Sequence, residues 1–286
     1  MTTKPDFGVL IFPTDYAIDP ATLASAVEAR GFESLFVTEH THIPVSRRSP
    51  WPGGAELPRE YWHTHDPFVA LSMAAAVTTT LKLGTGISLV TERDPILMAK
   101  QVATLDHLSG GRLVLGVGAG WNAEEMAHHG TPYAQRWKIL RERILAMRTI
   151  WNEEEPEFHG EFVDFEPIWS WPKPARPGGP PILIGASSKY VFDRVAEYGD
   201  GWMPIDGRND EVLNNGVTRL REACEAHGRD FAEMDLSVFG VRADAQRIEQ
   251  LMAMGFRRLI FALPPADADT VIPLLDRYAE VAATFA

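Results

Sequence analysis

Glu39 and His40 are the residues whose types best suit acid–base chemistry. They follow a short apolar run, Ser34–Thr38, that is typical of a buried strand, so both stand where a strand ends. Histidine titrates near neutral pH and can pass a proton to or from a reacting substrate. We therefore predict that Glu39 and His40 are catalytic. The alternative is that His40 only hydrogen-bonds a bound ligand or caps the strand.

Two glycine-rich turns are suited to ligand binding. Gly116, Gly118 and Gly120 end another predicted strand, and without the helix and later acidic residue of a dinucleotide motif they favour close backbone approach to a ligand. The second turn follows a further strand and opens a predicted helix, so its backbone N–H groups and hydroxyls can bind a phosphate. It consists of Gly185, Ala186, Ser187 and Ser188. The alternative is a serine that only caps the helix.

Histidine-rich clusters suggest a different chemistry. Glu39-His40-x-His42 and His63-x-His65-Asp66 contain the residue types of a metal site, which would suit a metal-dependent hydrolase. Barrel hydrolases, however, draw their ligands from several strand ends, and Gly185, Pro204 and Gly240 offer none there. We expect no metal and keep a barrel hydrolase as a minor alternative.

The scaffold must bring these strand ends together. Short apolar runs alternate with amphipathic helices, which is typical of parallel βα units. The predicted strands are Phe7–Phe12, Ser34–Thr38, Lys82–Leu89, Leu113–Val117, Ile182–Ile184, Gly201–Pro204, Leu236–Gly240 and Arg258–Ala262. Eight units predict an α/β fold, a single (β/α)8 TIM barrel over residues 1–286, with a doubly wound open sheet as the alternative.

Helix starts and insertions refine this prediction. Asp19-Pro20 and Asp94-Pro95 each supply a capping carboxylate and a proline at the first helical position. One insertion, at about residues 40–65, follows the second strand; the other, residues 152–181, separates the fourth helix from the fifth strand and contains a predicted hairpin at 158–162. Because the first insertion leaves from the carboxyl end of a strand, we predict that it is a lid over the functional face.

Composition limits the partners. A formal net charge of −12 without a lysine or arginine stripe argues against nucleic acid and anionic membranes, so we expect a small-molecule substrate. The single cysteine, Cys224, lies in a helical pattern and is interpreted as structural. The first residues lack the layout of a signal peptide, and the longest apolar stretch is too short to span a bilayer, so we expect a cytoplasmic protein.

Five motifs in order resemble the bacterial-luciferase-like superfamily. They are Leu83–Ile87, Ala99–Asp106, Leu108–Leu113, Gly116–Trp121 and Gly199–Pro204. The match continues through about residue 205, and the remaining chain matches only by its βαβα pattern. Further motifs resemble the coenzyme F420-dependent oxidoreductases within it: Thr38-Glu39-His40, the Pro44–Pro52 loop, Ala99-Lys100-Gln101 and Ile182–Gly185.

This resemblance implies that the protein is an enzyme, an F420-dependent oxidoreductase that transfers a hydride between the deazaflavin and a small organic substrate. It also implies that the protein is a homodimer. It implies a cofactor ring near the acid–histidine pair, a non-prolyl cis peptide at Gly86-Ile87 behind one face of that ring, and a cofactor phosphate at the second glycine turn. The cofactor-binding residues that it implies are His40, Gly86, Ile87, Gly118, Gly120, Gly185, Ala186, Ser187 and Ser188.

Several alternatives stay open at this point. The cofactor can be FMN, in a luciferase-like monooxygenase or a flavin reductase, or the protein can bind a flavin without turning it over. From the residues alone, Gly86 can also belong to an ordinary strand. Trp121 stands where the sugar-phosphate-oxidising relatives have a substrate-facing glutamate, so their substrate and proton donor are not carried over. Trp51, Trp62 and Trp121 are candidates for the walls of an apolar substrate pocket.

Overall fold

The computed structural model describes residues 4–207 and 210–285. Its main feature is a closed barrel of eight parallel strands. These strands are β1 (Asp6–Ile11), β2 (Ser34–Val37), β3 (Lys82–Leu89), β4 (Leu113–Gly118), β7 (Ile182–Ile184), β8 (Gly201–Trp202), β9 (Asp235–Val241) and β10 (Arg258–Ala262). Around the barrel they follow the order β1-β10-β9-β8-β7-β4-β3-β2. Because β1 pairs with both β2 and β10, the sheet has no open edge, and the TIM-barrel prediction is confirmed over the doubly wound alternative.

Helices surround the barrel. They are α1 (Pro20–Ala29), α2 (Pro67–Val77), α3 (Pro95–Ser109), α4 (Ala123–His128), α5 (Arg136–Asn152), α6 (Val191–Tyr198), α7 (Asp210–Ala226), α8 (Ala245–Met254) and α9 (Ala268–Ala283). The predicted aspartate caps are present: Asp19 accepts a hydrogen bond from Thr22 N at 2.9 Å and Asp94 accepts one from Leu97 N at 2.8 Å. These caps fix where α1 and α3 begin.

Two apolar layers hold the barrel together. The larger layer lies between the strands and the helices and includes Cys224, which is fully buried as expected for a structural thiol. The smaller one consists of Leu10, Phe36, Val114, Leu183, Met203 and Ile260. Because these side chains alternate along their strands with members of the outer layer, they point into the barrel. A side-chain carbon at Gly116 would lie 2.1 Å from Thr85 O, so this filled interior requires glycine there.

Both insertions form ordered structure. In the second, β5 (Phe158–His159) pairs antiparallel with β6 (Asp164–Phe165), so the hairpin is confirmed but its second strand begins later than predicted. The intervening turn is held by Glu142, which accepts hydrogen bonds from Phe162 N and Val163 N. The first insertion is fastened to α4 through Glu124, which accepts from Ser49 N at 2.7 Å and pairs with Arg48 at 3.0 Å.

Candidate active site

A cavity of about 470 Å³ opens at the carboxyl ends of the barrel strands. Its volume lies within the usual range for small-molecule sites. The strands and following loops supply Leu10, Phe12, Thr38, Glu39, His40, Gly86, Ile87, Leu89, Ala119, Gly120, Gly185, Ala186, Ser187, Ser188, Met203, Ile205 and Phe239, and other segments supply Tyr61, Trp121 and Trp137. The strand ends predicted to converge therefore do so around one mostly apolar space.

His40 is held in one orientation by a buried carboxylate. Its Nδ1 lies 2.9 Å from one oxygen of Glu125 and 3.1 Å from the other, and the Glu125 side chain is fully buried. A carboxylate can only accept, so Nδ1 carries the proton and donates it to this bond. The Nε2 atom is left as the ring nitrogen available to the cavity. This arrangement suits a group that accepts or delivers a proton.

Glu39 is engaged differently from the prediction of a catalytic acid. One of its oxygens accepts hydrogen bonds from Ser88 Oγ at 2.6 Å and Leu89 N at 2.7 Å, while the other pairs with Arg93. The side chain is only 2% exposed, although the residue lines the cavity. With both oxygens occupied, Glu39 is suited to positioning the end of β3. A catalytic role for Glu39 stays a prediction that these contacts do not favour.

The end of β3 bulges into the cavity. The Gly86-Ile87 peptide is cis, as the family resemblance implied, and the pairing of β3 with β4 shifts between Thr85 and Ser88. Both Gly86 and Ile87 line the cavity. Gly118 does not, and a side-chain carbon there would lie 1.8 Å from Ile87 Cδ1, so its role as a ligand contact stays a prediction that these contacts do not favour. The close approach that needs this glycine is made by Ile87.

The turn after β7 borders the cavity with all four of its predicted residues, Gly185 to Ser188. The helix that follows begins at Val191 with Tyr190 at its N-cap position, so neither serine caps it. Ser188 Oγ is buried and has no hydrogen-bond partner among the described residues. Ser187 and Ser188 also line a neighbouring cavity of about 710 Å³, whose other lining residues are Lys189, Glu211, Val212, Asn215, Thr218 and Arg219. Polar groups able to bind an anion therefore meet at this turn.

Aromatic side chains form the lid side of the cavity. Trp121 and Tyr61 line it, and their rings lie 5.8 Å and 5.1 Å from the His40 ring. Trp51 packs behind Tyr61 at 5.7 Å, while Trp62 is 50% exposed and does not line the cavity. Of the three tryptophans considered, only Trp121 is a wall; the sequence interpretation missed Tyr61.

The sequence interpretation also missed two buried acids, Glu125 and Glu92. Glu125 lies on α4, whose start is marked by Asn122 accepting hydrogen bonds from Glu124 N and Glu125 N. An asparagine before two glutamates is a recognisable helix start, so this signal was present in the sequence. Glu92 lies in a single turn after β3, where no periodic pattern marks it.

The two histidine-rich clusters do not assemble into a metal site. His42 hydrogen-bonds to His128 at 2.8 Å, and His63 bonds to Asp15 at 2.8 Å. Among the described residues, the group close enough to share an ion is Glu157, His159 and Glu166, exposed on the β5–β6 insertion and outside the cavity lining. His42 and His63 therefore bond to side chains outside the two clusters. No helix in the described ranges combines the length and apolarity needed to cross a membrane.

The fold and the cavity define a TIM-barrel protein with its candidate site at the carboxyl ends of the strands, where barrel enzymes carry their chemistry. The chain belongs to the luciferase-like monooxygenase family, whose sequence profile matches residues 14–283. The family resemblance seen in the motifs is thereby confirmed.

Two relatives illustrate the similarity in sequence. An uncharacterised protein of Mycobacterium tuberculosis is 39% identical over 276 residues, which cover 96% of this chain and 97% of the relative. An F420-dependent glucose-6-phosphate dehydrogenase of Kineococcus radiotolerans is 28% identical over 222 residues, covering 76% of this chain and 61% of that protein.

Solved structures show the same fold at low identity. An F420-dependent secondary alcohol dehydrogenase, in complex with an F420–acetone adduct, superimposes with a TM-score of 0.79 at 18% identity and covers 98% of both chains. The oxygenating constituent of a Baeyer–Villiger monooxygenase of Pseudomonas putida, in complex with FMN, gives a TM-score of 0.65 at 18% identity and covers 83% of this chain and 67% of that one. The family fold thus occurs with both cofactors.

Proposed function

We propose that this protein is a coenzyme F420-dependent oxidoreductase that transfers a hydride between the deazaflavin and a small organic substrate. The observation that carries the proposal is the pairing of His40 with the buried Glu125 beside a cavity that the Gly185–Ser188 turn also lines. A proton donor or acceptor and an anion-binding turn thus border one apolar space. These are the parts that a cofactor with a planar ring and a phosphate requires of a protein.

The residues present fit such a cofactor. The buried Ser188 Oγ, which has no hydrogen-bond partner among the described residues, supplies a donor at the turn, and Gly86 and Ile87 line the cavity at the β3 bulge. We propose that Gly86, Ile87, Gly120 and His40 contact the ring and that Gly185, Ala186, Ser187 and Ser188 bind the phosphate. When bound, the deazaflavin would supply two-electron hydride chemistry with little reactivity toward oxygen.

The chain itself would supply position, a proton and a dry environment. His40 Nε2 accepts the substrate proton in the oxidative direction and returns it in the reductive direction, while Glu125 stabilises the charged imidazole. Arg93 holds Glu39, which in turn holds the backbone after the β3 bulge. Trp121 and Tyr61 exclude water from the lid side.

The positive charges beside the turn favour the deazaflavin over FMN. FMN ends at its phosphate, whereas coenzyme F420 carries carboxylates beyond its phosphate. Lys189 and Arg219 line the neighbouring cavity, and neither forms an ion pair among the described residues. Among the described residues of that lining, Glu211 is the one acid. We propose that the two cations receive the anionic tail.

An FMN-dependent monooxygenase is the second candidate, favoured by the FMN complex that shares this fold.

The proposed class of substrate, a small organic molecule, rests on the apolar lining of the cavity. The homodimer and the cytoplasmic location stay predictions.

We expect the purified protein to bind oxidised coenzyme F420 more tightly than FMN by about tenfold or more, since each added charged hydrogen bond contributes about 1.5–3 kcal/mol. Fluorescence-quenching titration with each cofactor measures the two dissociation constants. Micromolar binding of FMN without binding of the deazaflavin would favour the second candidate.

Two variants locate the anionic groups in the same titration. Ser187→Glu places a negative charge at the turn and should weaken both cofactors, because both have a phosphate. Lys189→Glu should weaken the deazaflavin and leave FMN nearly unchanged. Equal losses for both cofactors with Lys189→Glu would contradict binding of the tail at this cavity.

A further inference from the structure

Glu92 is a buried acid behind the wall of the active-site cavity. It is only 7% exposed, and its Oε1 lies 3.6 Å from where a side-chain carbon on Gly120 would stand. Gly120 itself lines the cavity. Neither Glu92 oxygen has an N–H or O–H hydrogen-bond partner among the described residues, yet the Glu125 carboxyl is close enough to hydrogen-bond to it. Two carboxyl groups can bond in this way only when one holds a proton.

The charges around Glu92 place that proton on it. Burial, followed by the negative charges of Glu125 and Glu39, raises the pKa of Glu92 to about 9, and the lowering effect of Arg93 is smaller. Arg93 is committed to Glu39 and Asp66. Glu125, in contrast, accepts the hydrogen bond that His40 Nδ1 donates. At neutral pH Glu92 is therefore a neutral acid that donates to Glu125.

Glu92 also borders a second cavity on its other side. This cavity has a volume of about 400 Å³ and is lined by Glu92, Arg93, Asp94, Pro95, Ile96, His129, Arg143 and residues 162–165 of the second insertion. Asp94 and Asp164 in its lining are exposed, so it reaches the surface. His129 Nε2 is buried and has no hydrogen-bond partner in the described part of the chain, and burial lowers the pKa of this histidine, so a neutral imidazole faces this cavity.

We propose that His40, Glu125 and Glu92 form a proton path from the active-site cavity to this second cavity. In the oxidative direction the substrate proton binds His40 Nε2, the Nδ1 proton moves to Glu125, and Glu92 releases its own proton to water while taking the one from Glu125. One proton leaves the substrate and one reaches solvent, so the charges balance, and His40 is left with its proton on Nε2 until the reductive direction restores it to Nδ1. The reductive direction reverses each transfer. The path lets protons pass while the cofactor and the lid close the front of the site.

The path rests on the proposed hydride transfer, but the protonation of Glu92 can be tested without any cofactor. Infrared spectroscopy detects the carbonyl stretch of a neutral buried carboxylic acid. We expect this band at neutral pH, its loss as the pH rises through about 9, and its absence in Glu92→Gln. Glu28→Gln is the control: hydrogen bonds from the backbone of residues 79–81 overcome its burial and lower the pKa of Glu28 to about 2, so this variant should keep the band. An unchanged band in Glu92→Gln would overturn the assignment.

The kinetic test compares the first turnover with those that follow. Glu92→Gln retains a hydrogen bond to Glu125 but cannot relay a proton. The assay uses the deazaflavin with menadione as hydride acceptor. We expect the rate of the first hydride transfer in Glu92→Gln to stay within about threefold of wild type. The rate of proton exchange with solvent, followed with a pH indicator, and the steady-state turnover rate should each fall about tenfold or more. Glu28→Gln should match wild type throughout. Normal steady-state turnover in Glu92→Gln would refute the proton path. Failure of the wild-type protein to transfer hydride would refute the proposed function. In that case the infrared result would still decide whether Glu92 holds the proton.

Discussion

His40→Ala is expected to slow hydride transfer by about 100- to 10,000-fold, because one positioned acid or base contributes that much to rate. Cofactor affinity should change little, since the anionic end binds at the Gly185–Ser188 turn. Single-turnover stopped-flow at saturating deazaflavin, with menadione as acceptor and wild type compared across about pH 5 to 9, measures this effect.

Two variants frame this result. Glu125→Gln keeps an acceptor for His40 Nδ1 but removes its charge, so its rate should fall between those of wild type and His40→Ala. His107→Ala removes an exposed histidine on α3, outside the cavity lining, and should behave as wild type. A His40→Ala rate within about threefold of wild type at every pH, or a large rise in the cofactor dissociation constant instead, would mean that His40 only orients the ring.

Arg93→Met is expected to lower the free energy of unfolding by about 3–5 kcal/mol, because it leaves a buried carboxylate without its cation. The carboxylate is that of Glu39, which is 2% exposed, and Arg93 also pairs with Asp66 at 2.6 Å. Urea denaturation followed by circular dichroism measures the change.

The control for Arg93→Met is Arg141→Met. Arg141 pairs with Glu197 at 2.6 Å, but the two side chains are 46% and 39% exposed, so the loss should stay below about 1 kcal/mol. Equal losses for the two variants would show that the Arg93–Glu39 pair does not stabilise the end of β3.

The barrel could be predicted because its signals are local. Aspartate–proline pairs mark the starts of α1 and α3, and apolar runs mark strands buried on both faces. The eight predicted strands agree with the barrel strands to within a few residues. The second strand of the hairpin was placed too early, because its position depends on Glu142 reaching the turn from α5.

The candidate site could be predicted where motifs follow strand ends directly. His40, Gly86, Ile87 and the Gly185–Ser188 turn line the cavity for this reason. The partner of His40 could not be found in this way, because Glu125 is 85 residues further along the chain on a helix of six residues. Such a helix is too short for apolar periodicity. Gly118 was predicted to contact a ligand because the sequence does not show which group approaches this glycine closely. In the structure that group is the side chain of Ile87, a tertiary contact.

The proposed function is tested most directly by the oxidation of reduced deazaflavin on the protein. The reduced cofactor, bound anaerobically, is mixed with menadione in a stopped-flow instrument, and the absorbance of the oxidised form is followed. We expect the bound cofactor to be oxidised faster than the free cofactor, and to be stable when oxygen replaces menadione. Equal rates for bound and free deazaflavin, together with rapid consumption of oxygen by the protein loaded with reduced FMN, would contradict hydride transfer to an organic acceptor and identify a monooxygenase.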